Sequence, residues 1–123
     1  MTQATGINIY ASEMIRVFGP KVYYALHDSK LRGDVLIFFK NNPFYITINI
    51  ISKSMHIDYS NIRGVVCGDG GNYSKDRGLA RLGLLASKKI GRETAYIISQ
   101  KGLKAAELLE KERESTCPTR KNG

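Results

Sequence analysis

The sequence predicts a mainly α-helical fold with one small β-hairpin, that is, an α+β domain. Several segments have apolar residues at helical spacing, bounded by caps, glycines or prolines. Two apolar runs also flank a polar, glycine-containing loop at residues 88–93, which is the pattern of a β-hairpin. The chain has 123 residues, of which 42% are hydrophobic and 24% charged, so one compact domain is expected.

Residues 1–27 are predicted to form an N-terminal helical extension. Apolar residues within 12–18 indicate a short helix, and Gly19 and Pro20 end it. A second helical stretch follows and continues to about His27. These two helices precede the segment that has the strongest helical pattern.

That segment is a helix capped by Asp28 or Ser29 and ended by residues 41–43. Four of its apolar residues fall at i, i+4, i+7 and i+8, on one face: Leu31, Val35, Phe38 and Phe39. Residues 44–52 then have two interpretations. Their alternating and β-branched residues favour a strand, whereas a helix that begins at Thr47 would also bury several apolar side chains.

Two further short helices are predicted on either side of a glycine-rich segment. Asp58 is a good N-cap for the first, which turns Ile62 and a following valine inward. Residues 68–72 hold three glycines and interrupt the helical pattern. Ser74 caps the second helix, which turns apolar residues to one side and ends at Gly83.

The remaining residues predict the hairpin, a final helix and a tail. Residues 84–87 and 94–99 are the two strands. A helix over residues 101–114 follows, and residues 115–123 are expected to be a flexible tail. The two cysteines, Cys67 and Cys117, are interpreted as free thiols, because small disulfide-stabilised domains use four or more cysteines.

The positive charge is concentrated in one part of the chain. The formal net charge is +8 and the isoelectric point is near 9.6. Residues 73–92 hold six basic side chains against Asp76 alone, so they carry more than half of the excess. A pI above about 9 is one component of a nucleic-acid-binding signature.

The sequence gives little support for a membrane or secreted protein, or for a phosphate-binding, metal or catalytic site. No apolar segment approaches the ~20 residues that span a bilayer, and the N-terminus lacks the pattern of a secretory signal, so the cytoplasm is the expected compartment. Residues 68–71 lack the Gly-Lys-Ser/Thr continuation of a phosphate-binding loop. His27 and His56 have no partners at metal-ligand spacing, and no nucleophile stands beside a base. We therefore expect no catalytic site, metal or cofactor.

The order of these elements resembles a winged helix-turn-helix domain with flanking N- and C-terminal helices, most like small archaeal transcriptional regulators. Residues 47–64 resemble the helix-turn-helix motif, and residues 81–85 resemble the segment that leads from the recognition helix into the first wing strand. Residues 92–103 resemble the second wing strand and the entry into the last helix. The resemblance spans residues 28–114 and implies that residues 47–54 are helical.

The sequence departs from that pattern in two places. His56 stands where the turn commonly has glycine, although histidine is among the residues that tolerate positive φ. The glycine-rich segment at 68–72 also divides the recognition region, so the sequence leaves open which half would enter a DNA groove.

The resemblance implies a sequence-specific, double-stranded DNA-binding transcriptional regulator, with a recognition helix in the major groove and a basic wing on the backbone or minor groove. In the recognition region, Asn61 can pair with adenine and Arg63 with guanine. The amides near Ser74 suit a phosphate oxygen. The full set of candidate DNA-binding residues is Ser60, Asn61, Arg63, Tyr73, Ser74, Lys75, Arg77, Arg81, Lys88, Lys89 and Arg92.

A homodimer is expected, because paired half-sites give a small module the selectivity that one half-site lacks. Phe18, Val22 and Leu109 are apolar residues beyond those that the central domain needs, and they are candidate interface residues. Two alternatives stay open. The winged domain could serve protein contacts in a transcription or replication assembly. RNA binding would call for exposed aromatic residues, and Tyr73 is the candidate beside the basic segment.

Overall fold

A computed structural model describes residues 9–68 and 78–115 of the chain. Within these ranges the protein is mixed α and β. None of the described helices has the length and apolar character needed to cross a membrane. In chain order the elements are α1 (Ile9–Phe18), α2 (Pro20–Asp28), α3 (Lys30–Asn41), β1 (Ile46–Thr47), α4 (Ile48–Met55), α5 (Tyr59–Cys67), β2 (Leu85–Ile90), β3 (Glu93–Ile98) and α6 (Gln100–Ser115).

Helices α1, α2, α3 and α6 pack together and form what we call the helical half. Helix α1 contacts both α2 and α6, and α3 contacts α6, α5 and β3. Gly19, at φ 91, joins α1 to α2 in a backbone conformation that favours glycine. The Ser29 side chain accepts a hydrogen bond from the Arg32 amide and caps α3, as one of the two predicted caps. The helix boundaries predicted for this half are confirmed within one to three residues.

Val22 and Leu109 belong to the core of the helical half. They are 3% and 2% exposed and pack among the chain's own apolar side chains. Phe18 is half-buried against the same core. The buried Val22 and Leu109 side chains are therefore not available to a dimer interface, because α1, α2 and α6 cover one another within one protomer.

The ambiguous segment contains both of its alternatives in succession. Residues 46–47 form the short strand β1, and α4 begins immediately afterwards. The Thr47 hydroxyl accepts from the Ile50 amide and caps α4, which confirms the helix that the resemblance implied. His56 ends α4 at φ 58 and ψ 45, in the left-handed conformation expected of it. Asp58 occupies the N-cap position of α5, but its side chain makes no capping hydrogen bond.

The connection after α5 differs from the prediction. The described part of the predicted helix from Ser74 to Gly83 is a turn, not a helix. The amides of Leu79 and Ala80 donate to the carbonyls of Val65 and Val66, each at 3.0 Å. These bonds satisfy carbonyls at the end of α5. Because the two turn amides donate to α5, they do not form the hydrogen bonds of a separate helix. Residues 69–77 lie outside the described ranges.

The three strands form an antiparallel sheet in the order β1-β3-β2. Ile46 lies opposite Tyr96, and Leu85 lies opposite Ile98. The hairpin is confirmed, but its first strand is two residues longer than predicted, and the two strands enclose only two turn residues. Gly91, at φ 64, is the first of them, and a glycine there is typical of tight hairpin turns.

The entry into α6 ties the hairpin to the helical half. The Ser99 hydroxyl accepts from the Gly102 amide at 3.0 Å and donates to the Gly83 carbonyl at 2.7 Å. Lys101 donates to the Leu82 carbonyl at 3.0 Å. A β-carbon built on Gly102 would overlap the Leu84 carbonyl oxygen, so only glycine fits there without a shift.

Candidate nucleic-acid interface

Helix α5 separates its buried and exposed residues cleanly. Ile62, Val65 and Val66 are fully buried, whereas the side chains of the opposite face are exposed: Ser60, Asn61 and Arg63. The buried face anchors the helix to the core, since α5 packs against α3 and α4. The exposed face thus presents an amide, a hydroxyl and a guanidinium to solvent.

The basic residues of the hairpin lie in three directions. Lys88 pairs with Ala95 and Lys89 with Thr94, so their side chains project from opposite faces of the sheet. Lys88 Nζ lies 5.1 Å from the centroid of the Tyr45 ring, on the outer face. Arg92 lies in the turn itself. The three cations therefore do not share one face of the hairpin.

A cleft of about 270 Å³ lies between α5, the N-terminus of α4 and the inner face of the hairpin. It brings Arg63 of α5 and Arg92 of the hairpin turn to one site. Hydroxyl, amide and guanidinium groups make up much of its lining. The residues around it are Thr47, Ile48, Asn49, Tyr59, Arg63, Cys67, Arg92, Glu93, Thr94 and Tyr96.

The floor of the cleft joins α5 to β3. The Cys67 Sγ lies 3.3 Å from the Tyr96 hydroxyl, within hydrogen-bond distance for sulfur. Burial and the bond with Cys67 raise the pKa of Tyr96 well above its ordinary value, although the nearby Arg63 opposes the change. The Tyr96 hydroxyl therefore stays protonated and neutral at physiological pH.

With this geometry established, the chain can be compared with known proteins. A family model described as EarA-like matches residues 22–109, which run from α2 into α6. The chain belongs to the EarA-like family. It is also 32% identical over 91 residues to an uncharacterized protein of Methanocaldococcus jannaschii, and the match covers 73% of this chain and 82% of that protein. No solved structure matches the chain significantly.

The described part of this EarA-like chain contains seven of the eleven residues that the sequence singled out. Arg63 and Arg92 meet at the cleft, while Arg81 is exposed in the turn that follows α5. Ser60 and Asn61 share the exposed face of α5, and Lys88 and Lys89 lie on β2. Four predicted residues lie outside the described ranges: Tyr73, Ser74, Lys75 and Arg77. Cys117 also lies outside them.

Sequence reasoning missed several residues of this region. Tyr59 is 51% exposed and lines the cleft with Arg63, whereas Tyr45 is 41% exposed beneath Lys88 on the outer face of the sheet. Asn49 enters the lining because α4 begins one residue earlier. The N-cap position of Thr47 was the available signal for this placement.

Outside the cleft, His27 has structural partners. His27 Nδ1 lies 2.7 Å from the Tyr23 carbonyl, and its Nε2 lies 2.8 Å from the Glu112 carboxylate. The ring also stacks on Tyr23. Across residues 9–68 and 78–115, no three histidine, cysteine or acidic side chains gather in a group able to hold a metal ion.

Proposed function

We propose that this chain is a sequence-specific, double-stranded DNA-binding transcriptional regulator built on a winged helix-turn-helix. Helix α5 enters the major groove, and the hairpin acts as a wing on the backbone or minor groove. The chain acts in the cytoplasm and has no catalytic role. The observation that carries this proposal is the meeting of the exposed polar face of α5 with the basic hairpin around one cleft.

The topology supports the winged-helix part of the proposal. The run α3-β1-α4-α5-β2-β3 places a short strand before two helices and a hairpin after them. Strand β1 pairs with β3, which fixes the hairpin beside the start of α4. The left-handed His56 produces the tight turn between α4 and α5 that a helix-turn-helix needs.

The chemistry of α5 supports base recognition. The Asn61 amide can form two hydrogen bonds with adenine, and the Arg63 guanidinium can form two with guanine. Each such pair contributes on the order of 1–3 kcal/mol of discrimination between bases. Asn61 and Arg63 are the third and fifth of the nine residues of α5, and the N-terminal part of the recognition helix reaches base edges in this class of protein.

The charges of the hairpin support phosphate contacts. Within the described ranges no carboxylate lies at ion-pair distance from Lys88, Lys89 or Arg92. Cations that are not committed to internal pairs are able to neutralise DNA phosphates and release counterions. The resulting affinity must fall steeply as salt is added.

The test is a fluorescence-anisotropy titration with duplex DNA at two salt concentrations. Asn61→Ala and Arg63→Ala should each weaken binding to the preferred site by about ten-fold or more, while leaving weak binding to unrelated duplex nearly unchanged. Lys111→Ala, on the exposed face of α6, is the matched control and should bind as the native chain does. Equal losses on all duplexes would contradict base recognition by α5.

A homodimer is part of the proposal, because two half-sites one helical turn apart add their contacts. The apolar residues still exposed on α1 replace those first expected at the interface: Ile9, Ile15 and Val17. Sedimentation at micromolar concentration tests this part. A monomer there would contradict it.

A second candidate function is a winged-helix module for protein contacts in a transcription or replication assembly. The observation in its favour is a set of large apolar side chains exposed on the elements around the sheet: Phe44, Ile50 and Ile90. Single exposed apolar residues are common on soluble proteins, so this support is weaker. No binding to DNA at low salt by a folded chain would favour this second function.

A further inference from the structure

We propose that the cleft between α5, α4 and the hairpin binds a small oxyanion, of the phosphate-ester or carboxylate class, whose occupancy excludes DNA. The binding site stands on the geometry alone. The exclusion of DNA rests on the proposed function.

The charges around the cleft favour an anion. Among the described residues that line it, two carry guanidinium groups, Arg63 and Arg92, and one carries a carboxylate, Glu93. A guanidinium presents parallel N–H donors that match the oxygens of a carboxylate or phosphate. Because these two residues come from different elements, a bound oxyanion would bridge α5 to the hairpin turn.

The backbone adds a second source of positive potential. The first turn of α4 borders the cleft at Ile48 and Asn49. The first amides of a helix have no partner within the helix, and the Thr47 cap accepts from the Ile50 amide instead. A helix N-terminus attracts anions through these amides and the helix dipole. Helix α4 has eight residues, and the positive potential at its N-terminus adds to that of the two arginines.

The size and the neutral groups of the cleft restrict the ligand. At about 270 Å³, the space lies just below the ~300–1,000 Å³ of ordinary small-molecule sites, so it fits one phosphate ester or a small organic acid. Thr94 and Tyr96 contribute hydroxyl groups to the lining. The Tyr96 hydroxyl is uncharged at neutral pH, as in any tyrosine, so it does not repel an anion.

The same arginines would serve both the small ligand and DNA. In the proposed complex Arg63 faces the base edges and Arg92 faces the backbone. An oxyanion held between them would contact both side chains and fill the groove between recognition helix and wing. A ligand that binds only the DNA-free chain lowers the apparent DNA affinity by mass action.

The first arm of the test uses the full chain without DNA and inorganic phosphate as the probe. Phosphate is titrated against chloride at constant ionic strength, and binding is followed by amide chemical shifts and thermal unfolding. Saturable binding is expected, with the largest shifts at residues 47–49, 63 and 92–94. No saturable response would overturn the proposal.

Three variants locate the probe. Arg92→Gln should weaken phosphate binding by about ten-fold, because one charge-assisted hydrogen-bonding group is lost. Glu93→Gln should strengthen it by a few-fold, since the repelling carboxylate is gone. Arg16→Gln, which removes an exposed arginine of α1 that does not line the cleft, is the matched control and should change binding less than two-fold. Equal loss in Arg92→Gln and Arg16→Gln would reveal nonspecific charge attraction and overturn the site.

The second arm adds duplex DNA. Phosphate at saturating concentration should weaken DNA binding more than chloride at matched ionic strength, and Arg92→Gln should remove that difference. Phosphate binding with unchanged DNA affinity would overturn the exclusion of DNA. Phosphate binding by a chain that fails to bind any duplex would support the site and contradict the proposed function instead.

Discussion

The helical half and the hairpin differ in whether their basic side chains form ion pairs that join two elements. In the helical half, Arg113 meets Asp34 at 2.8 Å and Lys40 meets Glu110 at 3.0 Å, both between α3 and α6. On the hairpin, Lys89 and Arg92 have no such partner within the described residues. Charges of the first kind join elements, whereas those of the second kind face solvent and any ligand. We therefore expect the first kind of charge to contribute to stability and the second kind to contribute to binding.

The largest expected effect is on the core of the helical half. Leu109→Ala removes a side chain that is 2% exposed, and we expect the free energy of unfolding to fall by about 2–5 kcal/mol. Urea denaturation measures it, with exposed Glu107→Ala as the control within about 0.5 kcal/mol. The folded fraction should bind DNA with unchanged affinity. A direct loss of affinity would break the separation between the two regions.

Gly102→Ala tests the junction between the regions. In an exposed helix this change would stabilise by about 0.5–1 kcal/mol, but here the new β-carbon meets the Leu84 carbonyl and lies 2.8 Å from Ile98 Cγ1. We expect destabilisation of about 1–3 kcal/mol from overpacking. Thermal unfolding distinguishes the two signs, and Lys104→Ala on the same helix is the control. A stabilised variant would show that the close approach is absent.

The double variant Lys89→Ala/Arg92→Ala should affect binding and leave stability alone. Loss of two phosphate contacts should reduce the slope of log affinity against log salt by about 2. Its free energy of unfolding should stay within about 0.5 kcal/mol of the native value, because both residues are exposed. Anisotropy at several salt concentrations, with denaturation in parallel, gives both quantities. An unchanged slope would place the phosphate contacts elsewhere.

Asp34→Asn should have the smallest effect, and one that depends on pH. Partial burial would raise the pKa of Asp34, but hydrogen bonds from Arg113 and Lys30 hold it below the ordinary 3.8. Its carboxylate therefore stabilises the fold above that pH, and the contribution is lost as pH falls through the lowered pKa. We expect about 0.5–1 kcal/mol at neutral pH, since both partners are partly exposed.

Denaturation of the native chain and Asp34→Asn between pH 2 and 7 checks this prediction. The difference between them should be constant near neutrality and should shrink below pH 4. A difference that is independent of pH would mean that the carboxylate charge contributes nothing.

Local patterns predicted most of the fold where a single segment determines its own structure. The sequence predicted the cap of α3 at Ser29, the break between α1 and α2 at Gly19-Pro20, and the hairpin. Caps, turn residues and periodicity are local signals, so each of these features can be recognised within its own segment. Residues 46–55 needed the family resemblance, since their β-branched residues favour a strand until Thr47 caps a helix. The physical reason is that packing of Ile48 and Ile51 into the core overrides local propensity.

The sequence predicted which residues of α5 are exposed, but it did not predict how α5, the following turn and the hairpin are arranged in space. The exposed row on α5 follows from its helical period, and the exposure of Ser60, Asn61 and Arg63 agrees with it. The turn after α5 could not be predicted, because the amides of Leu79 and Ala80 bond to residues distant in sequence. The cleft depends on the same kind of long-range contact.

The most direct test of the account is a map of the residues that respond when duplex DNA is added. Amide chemical shifts of the full chain, followed through a titration, provide it. We expect the shifts to concentrate on residues 47–49, 59–63 and 87–94, while α1 and the body of α6 stay unchanged. Shifts concentrated on α1, α2 and α6 instead would contradict the assignment of binding to α5 and the hairpin.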